Sequence, residues 1–463
     1  MFTRSGLVAM VVLVTLTDVR ADWRAAAQRI NITPEQPMWM GGYSGRKGPG
    51  SGKTTELYAK VLVLEDGRKK RLAIVTLDLI GVPRSLRLAL EQRVKAEHGM
   101  GVSELMINAS HSHSGPMIRL IPGFKSGQPA RASFDRVPDA EEEKYVRMAQ
   151  DYMRRLENRV VLAIGECIQR LAPSRLLFSQ ARCGVAMNRR LPVGERIINS
   201  PNSAAPVDHA VPVLQVRDAK KRVQAILFGY ACHATTLSLM TFSADYPGWA
   251  QRYLEDAHPN AVAMFVAGCG GDQNPYPRRK PEWASRHGRS LANAVEAALI
   301  ANPTTITGEL RTALEYIDLD YATPPTRLQL EKKAKSKDRY DQRHAEFLLE
   351  YLDATGSLRK TYPYPVQVIR FGDQMSMVAL GGEVVVDYSL RLKRELKGSV
   401  WVAGYSNDLP GYIPSLRVLN EGGYEGGGAM RYVRSIPHPG PWADPIEKRI
   451  VGKVHELNNA LEE

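Results

Sequence analysis

Two histidines separated by one residue are the first feature of the sequence that indicates metal chemistry. In an extended chain, side chains two positions apart point to the same side, so His111 and His113 can face one pocket. Imidazole nitrogen is a common ligand of zinc and other borderline metals. His233 offers a third imidazole at the end of another apolar run. Solvent-exposed or hydrogen-bonded core histidines are the alternative interpretation of all three.

Glu383 is the candidate carboxylate ligand. It follows Gly381 and Gly382, which let the backbone pass close to a ligand and aim the carboxylate. The alternative is a charge at a helix N-terminus, because residues 384–396 have a helical pattern. Two or three histidines with a glutamate form the nitrogen–oxygen set of a catalytic zinc site. Such a site keeps one position open, where bound water loses a proton near neutral pH.

Short, β-branched apolar runs that end abruptly in Gly, Asp, His or Glu predict the strands that position these residues. Runs of this length and composition are typical of strands buried on both faces. They cover residues 71–77, 105–110, 225–232, 261–267, 376–380 and 400–403. Amphipathic stretches predict intervening helices over residues 85–97, 141–170, 249–256 and 283–301. We therefore expect an α/β fold, a mixed β-sheet core flanked by helices, with the active site at the carboxyl ends of strands.

The mature chain is predicted to form one domain, residues 22–463. Residues 327–351 have the charge pattern of one long helix with a solvent-facing side. Residues 362–371 and 374–380 predict a hairpin. No linker rich in Pro, Gly or Ser divides the chain, and the loop at 193–209 is only a weak boundary candidate.

Residues 1–21 are predicted to be a signal peptide. Arg4 supplies a positive start, residues 6–16 form an apolar run too short to span a bilayer, and residues 19–21 end in a small residue. The alternative is a buried N-terminal helix. We therefore expect export, to the periplasm or the medium.

The composition and the charge distribution indicate which kinds of binding partner to expect. The chain has 463 residues, of which 44% are hydrophobic and 24% charged, as in soluble globular proteins. The net charge is +13, but the basic residues are scattered, without a basic helix or an aromatic stacking platform. No nucleic-acid partner is therefore expected. Peripheral contact with an anionic membrane surface, or with a polyanionic glycan, stays open.

Four cysteines are too few for a disulfide scaffold in a chain of this length. Cys232 and Cys269 lie in apolar runs and are predicted to be core residues. Cys167 and Cys183 are candidates for a disulfide outside the cytoplasm, and the sequence leaves that pairing open.

Two further features resemble the motifs of nucleotide-binding proteins and of serine hydrolases, but both motifs are incomplete. Residues 48–54 resemble a phosphate-binding loop, but Lys47 stands where that motif needs glycine, so no nucleotide is expected. Ser114 and Ser238 are candidate nucleophiles of a Ser-His-Asp hydrolase. No G-x-S-x-G sequence accompanies them.

A series of unusual motifs runs along nearly the whole mature chain in a fixed order. They are Asn31-Ile32-Thr33-Pro34, Met40-Gly41-Gly42-Tyr43, Asp78, the sequence HSHSGP at 111–116, Asn188-Arg189, His233, Gly381-Gly382-Glu383, Gly411-Tyr412 and Tyr424-Glu425-Gly426. Their order and spacing resemble those of neutral ceramidases, which are zinc amidases that cleave the N-acyl bond of ceramide into sphingosine and fatty acid.

The resemblance implies a role for each matching residue. The zinc ligands that it implies are His111, His233, Glu383 and Tyr412. It also implies that His113 contacts the reacting centre, and that Arg189 and Tyr424 hold or polarise the substrate amide.

The chain departs from the family pattern in two places. The family has a serine near the zinc in a Gly-Asp-x-Ser-Pro segment, and here Asn274 takes its place in residues 271–275. An amide is no hydroxyl nucleophile, although it can donate a hydrogen bond to an oxyanion. The family also carries a C-terminal β-sandwich domain, and this chain ends about forty residues after Tyr424. We therefore expect a short bacterial-type relative whose substrate has diverged.

The hypothesis from the sequence is an exported zinc-dependent hydrolase of an amide bond, ceramidase-like, acting on a lipid or small molecule. His113 would act as general base or proton shuttle, and Asn274 would help to hold the oxyanion. The first alternative is a metal-dependent hydrolase or lyase of an acidic carbohydrate, which Arg189-Arg190 would suit. The second is a binding protein without turnover.

Three aspartates are candidates to orient the metal-binding histidines from behind. They are Asp78, Asp245 and Asp272. Capping of turns is the alternative role for each.

Overall fold

The structure is a computed structural model. It describes residues 22–118, 121–122, 129–130, 139–433 and 435–462. The predicted signal peptide, residues 1–21, lies outside the described residues. Among the helices that are described, none combines the length and the hydropathy needed to cross a membrane.

The strands of the described residues, in chain order, are β1 (Trp23–Asn31), β2 (Tyr58–Asp66), β3 (Arg71–Leu77), β4 (Leu105–Ala109), β5 (Ile121–Pro122), β6 (Pro129–Ala130), β7 (Ala172–Arg182), β8 (Ala186–Val193), β9 (Arg196–Asn202), β10 (Ala210–Asp218), β11 (Val223–Tyr230), β12 (Val262–Ala267), β13 (Gln273–Pro275), β14 (Thr304–Ile306), β15 (Leu310–Asp320), β16 (Thr361–Phe371), β17 (Met375–Leu380), β18 (Glu383–Val384), β19 (Ser399–Ala403) and β20 (Tyr412–Ile413).

The helices are α1 (Arg84–His98), α2 (Asp139–Gln169), α3 (Asp245–Ala257), α4 (Pro281–Ile300), α5 (Arg327–Lys333), α6 (Arg339–Thr355), α7 (Val386–Glu395), α8 (Leu416–Glu421) and α9 (Ile446–Ala460). Short 3-10 turns occupy Val102–Glu104 and Gly428–Tyr432.

A large mixed sheet and a smaller one stack on each other. The large sheet has the strand order β12-β11-β10-β7-β1-β2-β3-β4, with β14 added beside β7, and its parallel pairs are β3–β4 and β11–β12. The smaller sheet has the order β15-β16-β17-β19. Side chains of both sheets share one apolar core, in which Trp23 and Met264 meet Phe371 and Trp401. This interface joins the two sheets face to face.

Helices cover the outer face of each sheet. On the large sheet, α1 and α2 bury residues such as Leu90 and Val160, and α3 and α4 bury residues such as Leu254 and Leu291. On the smaller sheet, α7 and α9 pack against its outer side through another apolar cluster. The layers are therefore helix, sheet, sheet and helix. The predicted α/β class, with a mixed sheet core flanked by helices, is confirmed.

The two edge strands of the large sheet meet through one side chain. Asn108 on β4 accepts a hydrogen bond from the backbone N–H of Ala267 on β12 at 2.8 Å and donates to the carbonyl of Ala267 at 3.3 Å. Its amide also donates to the carbonyl of Gly404 at 2.7 Å and to the hydroxyl of Ser406 at 3.0 Å. This bridge brings the carboxyl ends of β4, β12 and β19 together.

Replacing Asn108 by Ala is expected to lower the free energy of unfolding by about 3 kcal/mol, because buried backbone groups lose their partners. Urea unfolding monitored by circular dichroism measures it. Asn293→Ala, at an exposed position on α4, is the matched control and is expected to change stability by less than about 0.5 kcal/mol. Equal stabilities of the two variants would contradict this role for the bridge.

Several local predictions can be compared with the structure. The predicted hairpin is β16–β17, paired antiparallel. The predicted single helix over 327–351 is wrong, because α5 and α6 are separate helices. The Asp338 side chain accepts a hydrogen bond from the backbone N–H of Tyr340 at 2.9 Å and so caps a new helix.

All four cysteines are free and buried. Cys167 lies in the apolar cluster beneath α1 and α2, whereas Cys183 lies in the cluster beneath α3 and α4. The structure therefore does not pair them.

Candidate metal centre and active site

The candidate metal ligands come from segments that follow strand ends. His111 comes just after β4 and His233 just after β11, while Glu383 and Tyr412 begin β18 and β20. Strands β18 and β20 are parallel, with Glu383 directly opposite Tyr412. The predicted position of the site, at the carboxyl ends of strands, agrees with this arrangement.

Unusual backbone conformations hold these segments close together. His111, Tyr405 and Asn407 all have left-handed φ angles, of 59°, 50° and 62°, which are uncommon for residues with a side chain. The N–H of Tyr405 donates to the carbonyl of Gly382 at 2.9 Å, and that of Asn407 to Ile107 at 2.8 Å. The loop after β19 is thus wedged between the His111 segment and the Glu383 segment.

Gly382 is needed for this close approach. Its φ is +80°, and a Cβ atom there would lie 2.6 Å from the carbonyl oxygen of Gly411. A side chain would therefore separate β18 from β20. The glycine that precedes Glu383 in the sequence serves the packing of the two strands that carry Glu383 and Tyr412.

Three imidazoles and one carboxylate converge on one point. The Oε2 atom of Glu383 lies 3.0 Å from Nε2 of His233 and 3.2 Å from Nε2 of His111. Nε2 of His113 lies 3.1 Å from Nε2 of His111. His111, His113 and His233 offer ligand atoms within 4.8 Å of one another and so form a metal-binding group. Glu383 thus faces the histidines, although α7 begins only three residues later, at Val386.

Backbone carbonyls fix the orientation of two of the histidines. Nδ1 of His111 lies 2.6 Å from the carbonyl of Ile80, and Nδ1 of His233 lies 2.7 Å from that of Gly270. A carbonyl only accepts, so each Nδ1 carries a proton and each ring turns its Nε2 atom towards Glu383. Burial, and then the guanidinium of Arg189, lower the pKa of His233 to about 4, so this ring is neutral at pH 7.

These donors fit a divalent metal. Two imidazole Nε2 atoms and a carboxylate that face one another at 3.0–3.2 Å need a positive charge among them, which a divalent cation supplies when both rings are neutral. Nitrogen and oxygen donors of these types are those of catalytic zinc sites, and ring N–H groups bound to carbonyls are typical of metal-ligating histidines. His111, His233 and Glu383 therefore have the donor geometry that a metal requires.

His113 differs from the other two histidines. Its Nδ1 atom is buried without a hydrogen-bond partner among the described residues. It therefore lacks the carbonyl contact that orients His111 and His233 as ligands. Burial, and then the neighbouring histidines, lower the pKa of His113 well below its usual value. A Cβ atom on Gly42 would lie 2.3 Å from the ring, so this glycine leaves the space in which the ring sits.

Tyr412 and Arg189 form the other wall of the cluster. The hydroxyl of Tyr412 lies 3.3 Å from Nε2 of His233 and accepts a hydrogen bond from Nη2 of Arg189 at 2.8 Å. Nη1 of Arg189 lies 3.5 Å from the same Nε2. Tyr424 packs its ring against Tyr412, with centroids 5.3 Å apart, and is 41% exposed. Tyr424 therefore lies at the mouth of the site.

Glu425 organises this wall, and the sequence did not reveal it. Its Oε1 accepts from Nε of Arg189 at 2.8 Å, and its Oε2 accepts from Nη1 of Arg190 at 2.7 Å. Burial alone would raise the pKa of Glu425, but the two guanidiniums outweigh it and hold that pKa below its usual range. The residue stands in the Tyr-Glu-Gly motif, yet its partners lie more than 230 residues away. No local pattern could have identified them.

Asn274 is turned away from the role predicted for it. Its Oδ1 accepts from Nη1 of Arg189 at 3.2 Å and from the hydroxyl of Thr235 at 3.2 Å. Arginine only donates, so the amide oxygen must face Arg189. The NH₂ group therefore points away from the metal-binding group, towards Asn199 at 3.5 Å. The predicted donation to an oxyanion is corrected to a contact that positions Arg189.

The three aspartates do not orient the histidines through the hydrogen bonds of the described residues. Carbonyls occupy the Nδ1 atoms of His111 and His233 instead. Each carboxylate accepts from a backbone N–H: Asp78 from Tyr58 at 2.9 Å, Asp245 from Leu237 at 2.8 Å and Asp272 from Val386 at 2.9 Å. Burial raises the pKa of Asp78 and of Asp272 to about 6. The alternative that these residues cap turns and loops describes them better.

The fold and the site together define a class, an α/β protein with a histidine-rich metal-binding group at strand ends. Residues 29–276 match the family model described as neutral/alkaline non-lysosomal ceramidase, N-terminal. The chain therefore belongs to the neutral/alkaline non-lysosomal ceramidase family, which implies a hydrolase.

Two solved structures share the fold. The neutral ceramidase from Pseudomonas aeruginosa superposes with a TM-score of 0.66 at 18% sequence identity, covering 93% of this chain and 75% of that chain. A ceramidase complexed with C2 gives a TM-score of 0.65, also at 18% identity, covering 93% of this chain and 76% of that chain. A sequence search of curated proteins finds no significant match.

Proposed function

We propose that the chain is a zinc-dependent amidase that cleaves the N-acyl bond of ceramide or a related lipid. Family membership supports a ceramide-hydrolysing enzyme. The observation that carries the proposal is the convergence of two oriented Nε2 atoms and the Glu383 carboxylate on one point. We assign His111, His233, Glu383 and Tyr412 as the residues that hold the metal.

The overall reaction adds water across the amide C–N bond and gives a carboxylate and an amine. A divalent metal at such a site supplies Lewis-acid polarisation and lowers the pKa of water. The surrounding side chains must then bind the amide and move protons. Their positions suggest which residues polarise the amide and which transfer protons.

Arg189 and His113 occupy complementary positions around the cluster. The guanidinium of Arg189 lies beside His233 and Tyr412, where its N–H groups can donate to a carbonyl oxygen that becomes negative. Nε2 of His113 faces the metal-binding group, 3.1 Å from Nε2 of His111, and from there it can accept the proton of the attacking water and pass it to the leaving nitrogen. Tyr424, at the mouth, covers the amide.

The alternative of an acidic-carbohydrate substrate was favoured by Arg189 and Arg190, and the contacts of these two residues argue against it. Arg190 is only 2% exposed and pairs with Glu425 and Glu421, and Arg189 pairs with Glu425. These two cations are therefore neutralised inside the protein and present little charge to a glycan.

Hydrolysis of a fluorescent short-chain ceramide by the zinc-loaded full chain tests the proposal. We expect release of the acyl group, its loss after chelation, and its return when Zn²⁺ is added back. A chelated sample restored with Mg²⁺ is the control, since Mg²⁺ prefers oxygen ligands. Absence of release from protein that holds stoichiometric zinc would contradict the ceramidase proposal.

Export is also part of the proposal, supported by the signal-peptide pattern of residues 1–21. Peripheral contact with an anionic membrane surface would then bring the enzyme to lipid substrates, in keeping with the net charge of +13. Cell fractionation with N-terminal sequencing tests export. A mature chain that begins at Asp22 supports it, and an uncleaved chain in the cytosol rejects it.

A further inference from the structure

A small polar cavity opens beside the metal-binding group. It has a volume of about 50 Å³, and the polar residues that line it include Arg189, Asn199, Asn274, Tyr276 and Arg278. Since Arg189 is 3.5 Å from His233 and 3.2 Å from Asn274, it separates the cavity from the metal-binding group by one side chain. Among the described residues that line the cavity there is no carboxylate.

Hydrogen-bond donors line the cavity. Asn274 is 5% exposed, and Arg189 fixes its oxygen, so its NH₂ group is directed towards Asn199 and the cavity. Arg278 adds a guanidinium that makes no salt bridge with any described residue. Arg189 is paired with Glu425, so the donors open to an anion are the NH₂ group of Asn274 and the guanidinium of Arg278, which have no carboxylate partner among the described residues.

Positive charge continues along the rim towards His113. The ring of Tyr43 packs against His113, with centroids 4.8 Å apart, and the guanidiniums of Arg46 and Arg279 lie 5.0 and 5.2 Å from the Tyr43 ring centroid. Within the part of the chain that the structure describes, neither of these arginines has a carboxylate within salt-bridge distance. Burial, and then the charge of Arg279, lower the pKa of Arg278. No carboxylate is among the groups that act on this pKa.

We propose that this cavity is an anion subsite and that the substrate is an N-acyl amide with a carboxylate, phosphate or sulfate group close to the scissile bond. The proposal rests on the proposed amidase function, because it places the amide at the metal-binding group and the anion one side chain away. Arg278 is the specificity-determining residue. Asn274, at the position where the family has serine, provides the neutral donor.

A matched pair of substrates tests the subsite. N-dodecanoylglycine and N-dodecanoylethanolamine have the same acyl chain and amide, and only the first has a carboxylate. With the zinc-loaded full chain at low ionic strength, kcat/KM for the glycine conjugate is expected to exceed that for the ethanolamine conjugate by about tenfold or more.

Two arginine variants identify the residue responsible. Arg278→Gln is expected to remove the preference by lowering kcat/KM for the glycine conjugate about tenfold, with less than about a twofold change for the ethanolamine conjugate. Arg286→Gln removes the same charge from the exposed face of α4 and is expected to keep the preference. Equal kcat/KM values for the two conjugates, or a preference that survives Arg278→Gln, would overturn the subsite.

Calorimetric binding of both conjugates to the zinc-loaded protein separates this inference from the proposed function. If neither amide is cleaved, tighter binding of the glycine conjugate that depends on Arg278 would still support the anion subsite, and the amidase proposal would fail. If both amides are cleaved at equal rates and bound equally, the amidase proposal stands and the subsite is rejected.

Discussion

A Glu383→Gln variant is expected to bind Zn²⁺ about a hundredfold more weakly and to lose ceramide hydrolysis by at least the same factor. The carboxylate lies 3.0 Å from Nε2 of His233 and 3.2 Å from Nε2 of His111, and it supplies the negative charge of the group. A neutral amide keeps the shape and removes that charge. In the variant, Nε2 of His111 and Nε2 of His233 would bind the metal without a negative charge beside them.

Competition with a chromophoric chelator measures the zinc dissociation constant. Glu282→Gln, at an exposed position in the first turn of α4, is the matched control and should bind zinc as the unaltered chain does. Circular dichroism checks that both variants are folded. An unchanged dissociation constant would show that Glu383 is no ligand and that the imidazoles, with His113 among them, hold the metal.

A Glu425→Gln variant is expected to lose about 3 kcal/mol or more of its free energy of unfolding, together with most of its activity. Glu425 is the carboxylate shared by Arg189 and Arg190, and both guanidiniums are almost fully buried. Removing its charge leaves two buried cations without compensation. Arg189 would also lose the contact that aims it at Tyr412 and His233.

The control for this variant removes a neighbouring carboxylate that is more exposed. Glu421 also pairs with Arg190, at 3.0 Å, but its side chain is 33% exposed. Glu421→Gln should therefore cost no more than about 1 kcal/mol. Urea unfolding of both variants measures the difference, and equal losses would contradict the special position of Glu425.

The pH dependence of stability gives an independent check on Glu425. Its pKa is lower in the folded chain than in the unfolded chain, so the unfolded chain binds a proton first as the pH falls. The stability advantage of the unaltered chain over Glu425→Gln is therefore fully present above the usual glutamate pKa, about 4.3, and shrinks as the pH falls below it. A difference that stays constant down to pH 3 would be inconsistent with this ion pair.

The sequence predicted the strands that end at the site because their signal is local. The run over 71–77 is β3, with its apolar side chains buried on both faces. The helix over 141–170 is α2, which begins and ends within two residues of the prediction. In both, a buried apolar pattern is enough to define the element. The break between α5 and α6 is harder to predict, because the charged stretch between them has no apolar period and only the N-cap residue Asp338 marks the start of the second helix.

Contacts between residues that are far apart in the chain could not be predicted from the sequence. His111, His233 and Glu383 were grouped by chemical type and by the family resemblance, not by any pattern that shows proximity. The pairing of Glu425 with Arg189 and the orientation of Asn274 depend on how separate loops pack. The same is true of the aspartates: Asp245 accepts from a backbone N–H eight residues away, but the backbone N–H groups bound by Asp78 and Asp272 lie 20 and 114 residues away.

The Asn108 bridge between the two edge strands bears on the order in which the molecule assembles. His111 follows one edge strand, and His233 follows the neighbour of the other, so the two imidazoles approach only when the large sheet has closed. Hairpins and helices form from nearby residues and come early, whereas this closure joins residues 159 positions apart. Metal capture during refolding would therefore report the final closure of the sheet, and a metal held by the proposed ligands would stabilise that last state over every partly folded precursor.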